Sequence, residues 1–239
     1  APVQSVGVRP FCASGDWCVT LPEQNMENKE NIHQPERQSW ESSLNPEVMR
    51  VRLISASIYV AAFESLERAI IERVIEAYES FTYPPLDLND PIDKTTRDYI
   101  KAFARDHVKY REEVLSRNLN HRDASLDWLC ENGAITYADI ASFDRIRTCR
   151  NHLAHRMLYF LGNEGLPPNF EQYFKEMVEL LRKIEVWWIV GVEIPCNPEF
   201  DKQDIDADAI VPGKIMALQL LCDIALGSEK KSKYYYDEM

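Results

Sequence analysis

The chain has 239 residues, 45% of them hydrophobic and 10% aromatic, which is enough apolar surface for one substantial core. Its 39 acidic against 27 basic residues give a formal net charge of −12. That balance excludes the broad basic surface of a protein that coats duplex DNA or an anionic membrane, so any nucleic-acid contact has to be local.

The six cysteines are scattered, with no CxxC pair and no second Cys/His pair at zinc-finger spacing. This predicts a reduced, cytoplasmic chain in which Cys130, Cys149 and Cys222, each set among apolar neighbours, are core thiols. No charged and then apolar leader opens the sequence, N-x-S/T acceptors are absent, and the longest apolar runs, "LISASIYVAAF" and "VWWIVGV", are too short to cross a bilayer. A soluble protein without a membrane partner is expected.

Residues 1–44 are rich in Pro, Gln, Asn, Ser and Glu without periodicity and read as a loose leader, with Met26 an alternative natural start. From Asn45-Pro46 the pattern becomes helical. Val51, Ile54, Ile58, Ala61, Leu66, Ile70 and Val74 recur at helical spacing and predict a long first helix, broken by "YPPLDLNDP". Asp90-Pro91 offers an N-cap and first position for a second helix through about Arg117, and a short third helix runs from Asp123 to Asn132-Gly133.

"TYAD", Thr136 to Asp139, resembles a capping box with aspartate in the place of glutamate, and it opens a helix that Gly162 stops. "LPPNFEQYFKEMVELLRKIEVWWIVGVEIP" predicts a further long helix ending near Ile194-Pro195. After an acidic loop, "GKIMALQLLCDIALG" predicts the last helix, and residues 228–239 read as a charged, Tyr-rich, disordered tail. Alternating apolar and polar runs are nearly absent. The expected fold is all-α, an antiparallel helical bundle of about five or six helices over residues 45–227.

The densest chemistry lies in "RNHLAHR", residues 150–156. On a helix, Ile146, Cys149, Leu153, Met157 and Phe160 form one apolar stripe, and Asn151 and His155 fall together on the opposite side, with Arg147, Thr148 and Tyr159 beside them. Arg150 lies about 140° from His155 and borders the stripe. Arg145, Arg147, Arg150 and Arg156 stand against Asp144 alone, a cationic segment in an acidic chain. A solvated helix face is the plain alternative for such a cluster.

"RNHLAH" resembles the R-x4-6-H motif of HEPN domains, with a polar residue after the arginine and the motif early in a late helix of an all-helical bundle. The resemblance spans about residues 46 to 195. It implies a metal-independent, cofactor-free endoribonuclease of toxin or anti-phage defence type, acting as a homodimer with the motifs facing each other, and held in check by an antitoxin or other regulatory protein. Arg150, Asn151 and His155 are the implied catalytic residues, with Arg147, His152 and Arg156 implied RNA contacts. Histidine exchanges protons near neutral pH, and arginine grips a phosphate bidentately, so these residue types suit attack of a ribose 2′-hydroxyl that leaves a 2′,3′-cyclic phosphate.

The family's modified tyrosine would stand two residues after the histidine, whereas here the next tyrosine is Tyr159. The rival reading is a non-catalytic helical interaction module, or an inactive HEPN-like partner subunit. Elsewhere, His107 and His121 read as ordinary boundary histidines. Glu64 and Glu67 read as solvated helix glutamates, with the positioning of an arginine of the site as the alternative. Trp187 and Trp188 read as core or interface anchors, and the acidic stretch "NPEFDKQDIDADAI" as a loop that a brake on the basic cleft would also fit.

Overall fold

The computed structural model describes residues 45–78, 108–160, 165–197, 200, 205–228 and 233–235. The leader 1–44, Asp90-Pro91, His107, Gly162 and the first part of the acidic loop lie outside the described residues. Among those described, every regular element is helical.

Helix α1 (Pro46–Tyr78) has 33 residues. It begins where the sequence predicts: the Asn45 side-chain oxygen accepts from the amides of Glu47 at 3.0 Å and Val48 at 3.4 Å, and Pro46 takes the first position, where a missing N–H costs nothing. Ala56, Tyr59, Phe63, Leu66, Ile70 and Val74 recur every three or four residues and are buried. The second predicted helix is described only at its end, as α2 (Val108–Tyr110) running into a π-helical turn, Arg111–Leu115. It closes two residues before the expected Arg117.

Helix α3 (His121–Glu131) starts two residues earlier than expected, because Asn120 is the N-cap and its side chain accepts from the Arg122 amide at 3.0 Å. Helix α4 (Tyr137–Tyr159) opens with the predicted box: Asp139 Oδ2 accepts from both the amide and the hydroxyl of Thr136 at 2.7 Å. Helix α5 (Phe170–Trp188) continues as a π-helical stretch, Ile189–Glu193, and a 3-10 turn, Ala207–Ala209, leads to α6 (Gly213–Ala225).

The described residues fall into two compact units, to both of which α1, α4 and α5 contribute. The first comprises 45–61, 145–160, 165–176, 213–228 and 233–235. Its centre is Tyr59, whose ring lies 5.0 Å from that of Phe170 and 6.2 Å from that of Phe174. Gly165, at φ +79°, makes a turn that L side chains resist, and the Arg52 guanidinium lies 3.4 Å from where its Cβ would be. Of the tail, residues 228 and 233–235 are described: 233–235 form a helical turn, and Tyr235 donates to the buried carboxylate of Asp223 at 3.0 Å.

The second unit comprises 62–78, 108–144, 177–197, 200 and 205–212. Trp188 stacks on Trp128 at 6.0 Å and Trp187 meets the same ring edge-on, so the tryptophan pair does anchor a core. Tyr78 accepts from the Trp128 indole at 3.0 Å and donates to Glu113 at 2.8 Å; burial and that carboxylate push its phenol up to about 12. Arg73 gathers Glu185, Glu193 and Glu76 at 3.3, 3.0 and 3.7 Å. Glu67 pairs with Arg122 at 3.3 Å. The Arg182 guanidinium donates to the carbonyls of Asp208 and Ile210, tying down the end of the acidic loop within this unit.

Candidate functional site

Residues 145–159 of α4 belong to the first unit. Ile146, Cys149, Leu153 and Phe160 are buried and Met157 is half-buried, so the apolar stripe faces inward. The turn before the motif is fixed from behind. Tyr59 donates its hydroxyl to the carbonyl of Ile146 at 3.1 Å, the carbonyl that stands one helical turn below the Arg150 amide. The Cys149 thiol lies beside the same hydroxyl. Burial raises both groups above their usual ranges, the phenol strongly, so both stay protonated.

Asn151, His152, His155 and Arg156 are exposed, and Arg147 and Arg150 are half-buried. Arg150 is thus only partly open to solvent, and its Nη1 reaches Asn151 Oδ1 at 3.5 Å, the outer limit of a hydrogen bond. Arg150 and Asn151 are therefore adjacent groups. His155 is set apart from that pair: among the described residues it has no hydrogen-bond or ion-pair partner.

Two features escaped the sequence reading. Arg145 forms an ion pair with Glu176 of α5 at 3.2 Å, and Gln172 donates to the other oxygen of that carboxylate at 2.9 Å. The cationic segment is therefore smaller than its sequence suggests, since Glu176 lies 31 positions away and nothing local signals it. Second, α4 kinks directly after His155. Arg156 has φ −127° and ψ 23°, outside helical values, and its guanidinium lies 4.5 Å from the centre of the Tyr159 ring and 5.7 Å from that of Phe160. The Arg-x-x-Tyr spacing is the one local signal for this cation–π contact.

Among the described residues no three His, Cys, Asp or Glu side chains come together as a metal-binding group, and no described helix is long and apolar enough to cross a membrane. Cys149 and Cys222 are buried, Cys130 is half-buried and Cys196 is exposed, all as free thiols. Compared with family models, with curated proteins and with solved structures, the chain finds no significant match.

Proposed function

We propose that the chain is a HEPN-type endoribonuclease that cleaves RNA by attack of the ribose 2′-hydroxyl, with a site composed from two copies. The observation that carries this reading is the division of one helix: a continuous buried stripe on one side, and on the other Asn151 and His155 open to solvent, with Arg150 at the margin beside Asn151. An arginine, an amide and a histidine on one helix are the groups this reaction needs.

In this reading His155 moves the proton, taking it from the 2′-hydroxyl or giving it to the departing 5′-oxygen. Arg150 holds the phosphate and stabilises charge on its oxygens as the 2′-oxygen attacks and the 5′-oxygen leaves, giving a 2′,3′-cyclic phosphate. Asn151 orients the phosphate through its amide. Arg147 and His152 extend the contact along the strand, and the Arg156–Tyr159 pair presents a flat face against which a base can stack. Arg150 and His155 diverge around the helix, so a two-fold partner supplies the second Arg and His of each cleft. A toxin or defence enzyme of this kind requires a protein or trigger that silences it.

A non-catalytic interaction module is the second reading, favoured by the lack of an orienting partner for His155 among the described residues. The two are separated by incubating cellular RNA in EDTA with the purified protein and with His155→Ala, and analysing fragment ends. Cleavage to 2′,3′-cyclic phosphate ends that is lost in the variant is expected. Cleavage unaffected by the substitution refutes the assignment of the site, and RNA left intact together with no specific RNA binding favours the module.

A further inference from the structure

Arg145 is the first cation of the α4 segment, and it is held. Its guanidinium lies 3.2 Å from Oε2 of Glu176 on α5, while Gln172, one turn earlier on that helix, donates to Oε1 at 2.9 Å. The two partners differ in freedom. The Arg145 side chain is 47% exposed and that of Glu176 only 20%, so a fixed carboxylate, already hydrogen-bonded from its own helix, holds a long side chain that reaches out toward water. The described carboxylates of the first unit are Glu47, Glu171, Glu176 and Asp223. Glu47 pairs with Arg50 within α1 at 2.9 Å and Asp223 accepts from Tyr235, whereas Glu176 reaches across to the cationic segment of α4.

We propose that Glu176 is a built-in restraint on the candidate site: it withholds Arg145 from the phosphates of a bound RNA strand. The inference rests on the ribonuclease reading and adds to it the residue that sets the grip on RNA. Arg145 and His152 stand seven residues apart, two helical turns, on the same side of α4, and both are exposed, as is Arg156 four residues farther on. A strand lying along that line past His152 and Arg156 also passes Arg145, about 10 Å along the helix from His152.

The pair does little to hold the fold, because an ion pair whose arginine is half open to water adds little to stability. Its effect falls on binding. A phosphate that takes Arg145 has to separate it from Glu176, which leaves a mostly buried carboxylate without that cation and facing the RNA. One charge contact is traded for another, so the native chain gains nothing by the exchange. With an amide in place of the carboxylate, Arg145 becomes available to release a counterion from the strand. For a single strand each such contact steepens the dependence of log affinity on log salt by about 0.7, which amounts to about fourfold in affinity at about 0.15 M salt relative to 1 M. A weak grip suits an enzyme that has to release the strands it cuts.

The test is fluorescence anisotropy of a labelled single-stranded oligoribonucleotide titrated with the full chain in EDTA, every protein carrying His155→Ala so that the RNA stays whole. Glu176→Gln keeps the shape of the side chain and an oxygen for Gln172, and it is expected to bind about fourfold more tightly at about 0.15 M salt, with the salt slope moving from about −2 to about −3. Arg145→Ala is expected to erase that gain, yet to change affinity by less than about twofold where Glu176 is present. Glu171→Gln makes the same change of charge on the same helix and is expected to leave the slope unaltered. No gain in Glu176→Gln, or an equal gain in Glu171→Gln, overturns the proposal. So does a loss of several-fold on Arg145→Ala with Glu176 in place, since Arg145 would then already hold RNA; this arm decides the matter even if Glu176→Gln disturbs folding. RNA bound alike by every variant overturns this inference alone, and RNA bound by none of them overturns the ribonuclease reading with it.

Discussion

Asp139→Ala removes the carboxylate on which the start of α4 depends, and its effect should depend on pH in a defined direction. Partial burial by itself raises the Asp139 carboxyl, but the Lys183 ammonium and the two Thr136 donors outweigh it and hold the group below its ordinary value of 3.8. A carboxyl depressed in the folded state contributes stability that is present above its unfolded value and lost as the pH falls through the folded value. A helix-capping interaction is worth about 1 kcal/mol. Lys183 is 43% exposed, so solvent screening limits its pair to a few tenths of a kcal/mol. Urea unfolding followed by circular dichroism should therefore separate wild type and variant by about 1–1.5 kcal/mol at pH 7. The gap should hold down to about pH 5 and largely close below the ordinary carboxyl value. Equal gaps at pH 7 and pH 3 would refute the electrostatic account, and no gap at pH 7 would refute the capping box itself.

Tyr59→Phe keeps the ring between Phe170 and Phe174 and deletes only the hydroxyl bonded to the Ile146 carbonyl; the loss of one buried hydrogen bond should cost about 1 kcal/mol and lower Tm by about 2–4 °C in a calorimetric scan. A drop several times larger would mean that the hydroxyl organises more of the unit than this one contact. Arg73→Leu should cost about 3 kcal/mol in urea unfolding, because it strands Glu185, whose side chain is only 4% exposed, without its cation. The double variant Arg73→Leu/Glu185→Leu should recover most of that loss, and a double variant as unstable as the sum of the singles would refute the coupling.

The parts of the fold that sequence made legible are those fixed by contacts within a few residues. Asn45-Pro46 and Thr136/Asp139 announce helix starts because the capping partners lie within three positions of one another. The buried stripe Ile146, Cys149, Leu153 and Phe160 was readable because helical periodicity and burial coincide there. Asn120 and Asp123 are both residues that cap helices, and only the backbone at Asn120, extended at φ −97° and ψ 124°, chooses between them. What sequence did not reveal depends on contacts over distance. Tyr59 meets Ile146 across 87 positions, and Glu176 neutralises Arg145 across 31. The kink at Arg156 has no proline or glycine beside it to announce it.

Net acidity weighs less against the ribonuclease reading than the total charge suggests. At physiological salt a charge is screened beyond about 8 Å, so a phosphate beside His155 responds to the groups around it and little to the rest of a chain of −12. Arg145 contributes weakly, since Glu176 holds it. At most Arg147, Arg150 and Arg156 of one copy then meet phosphates, which for a single strand gives a salt slope of about −2 and correspondingly modest affinity. A two-fold pair of motifs doubles the number of cations along one strand. On the ribonuclease reading, pairing of two copies is thus required twice over, once because Arg150 and His155 diverge on their own helix, and again because one copy carries too little local charge to retain RNA at physiological salt.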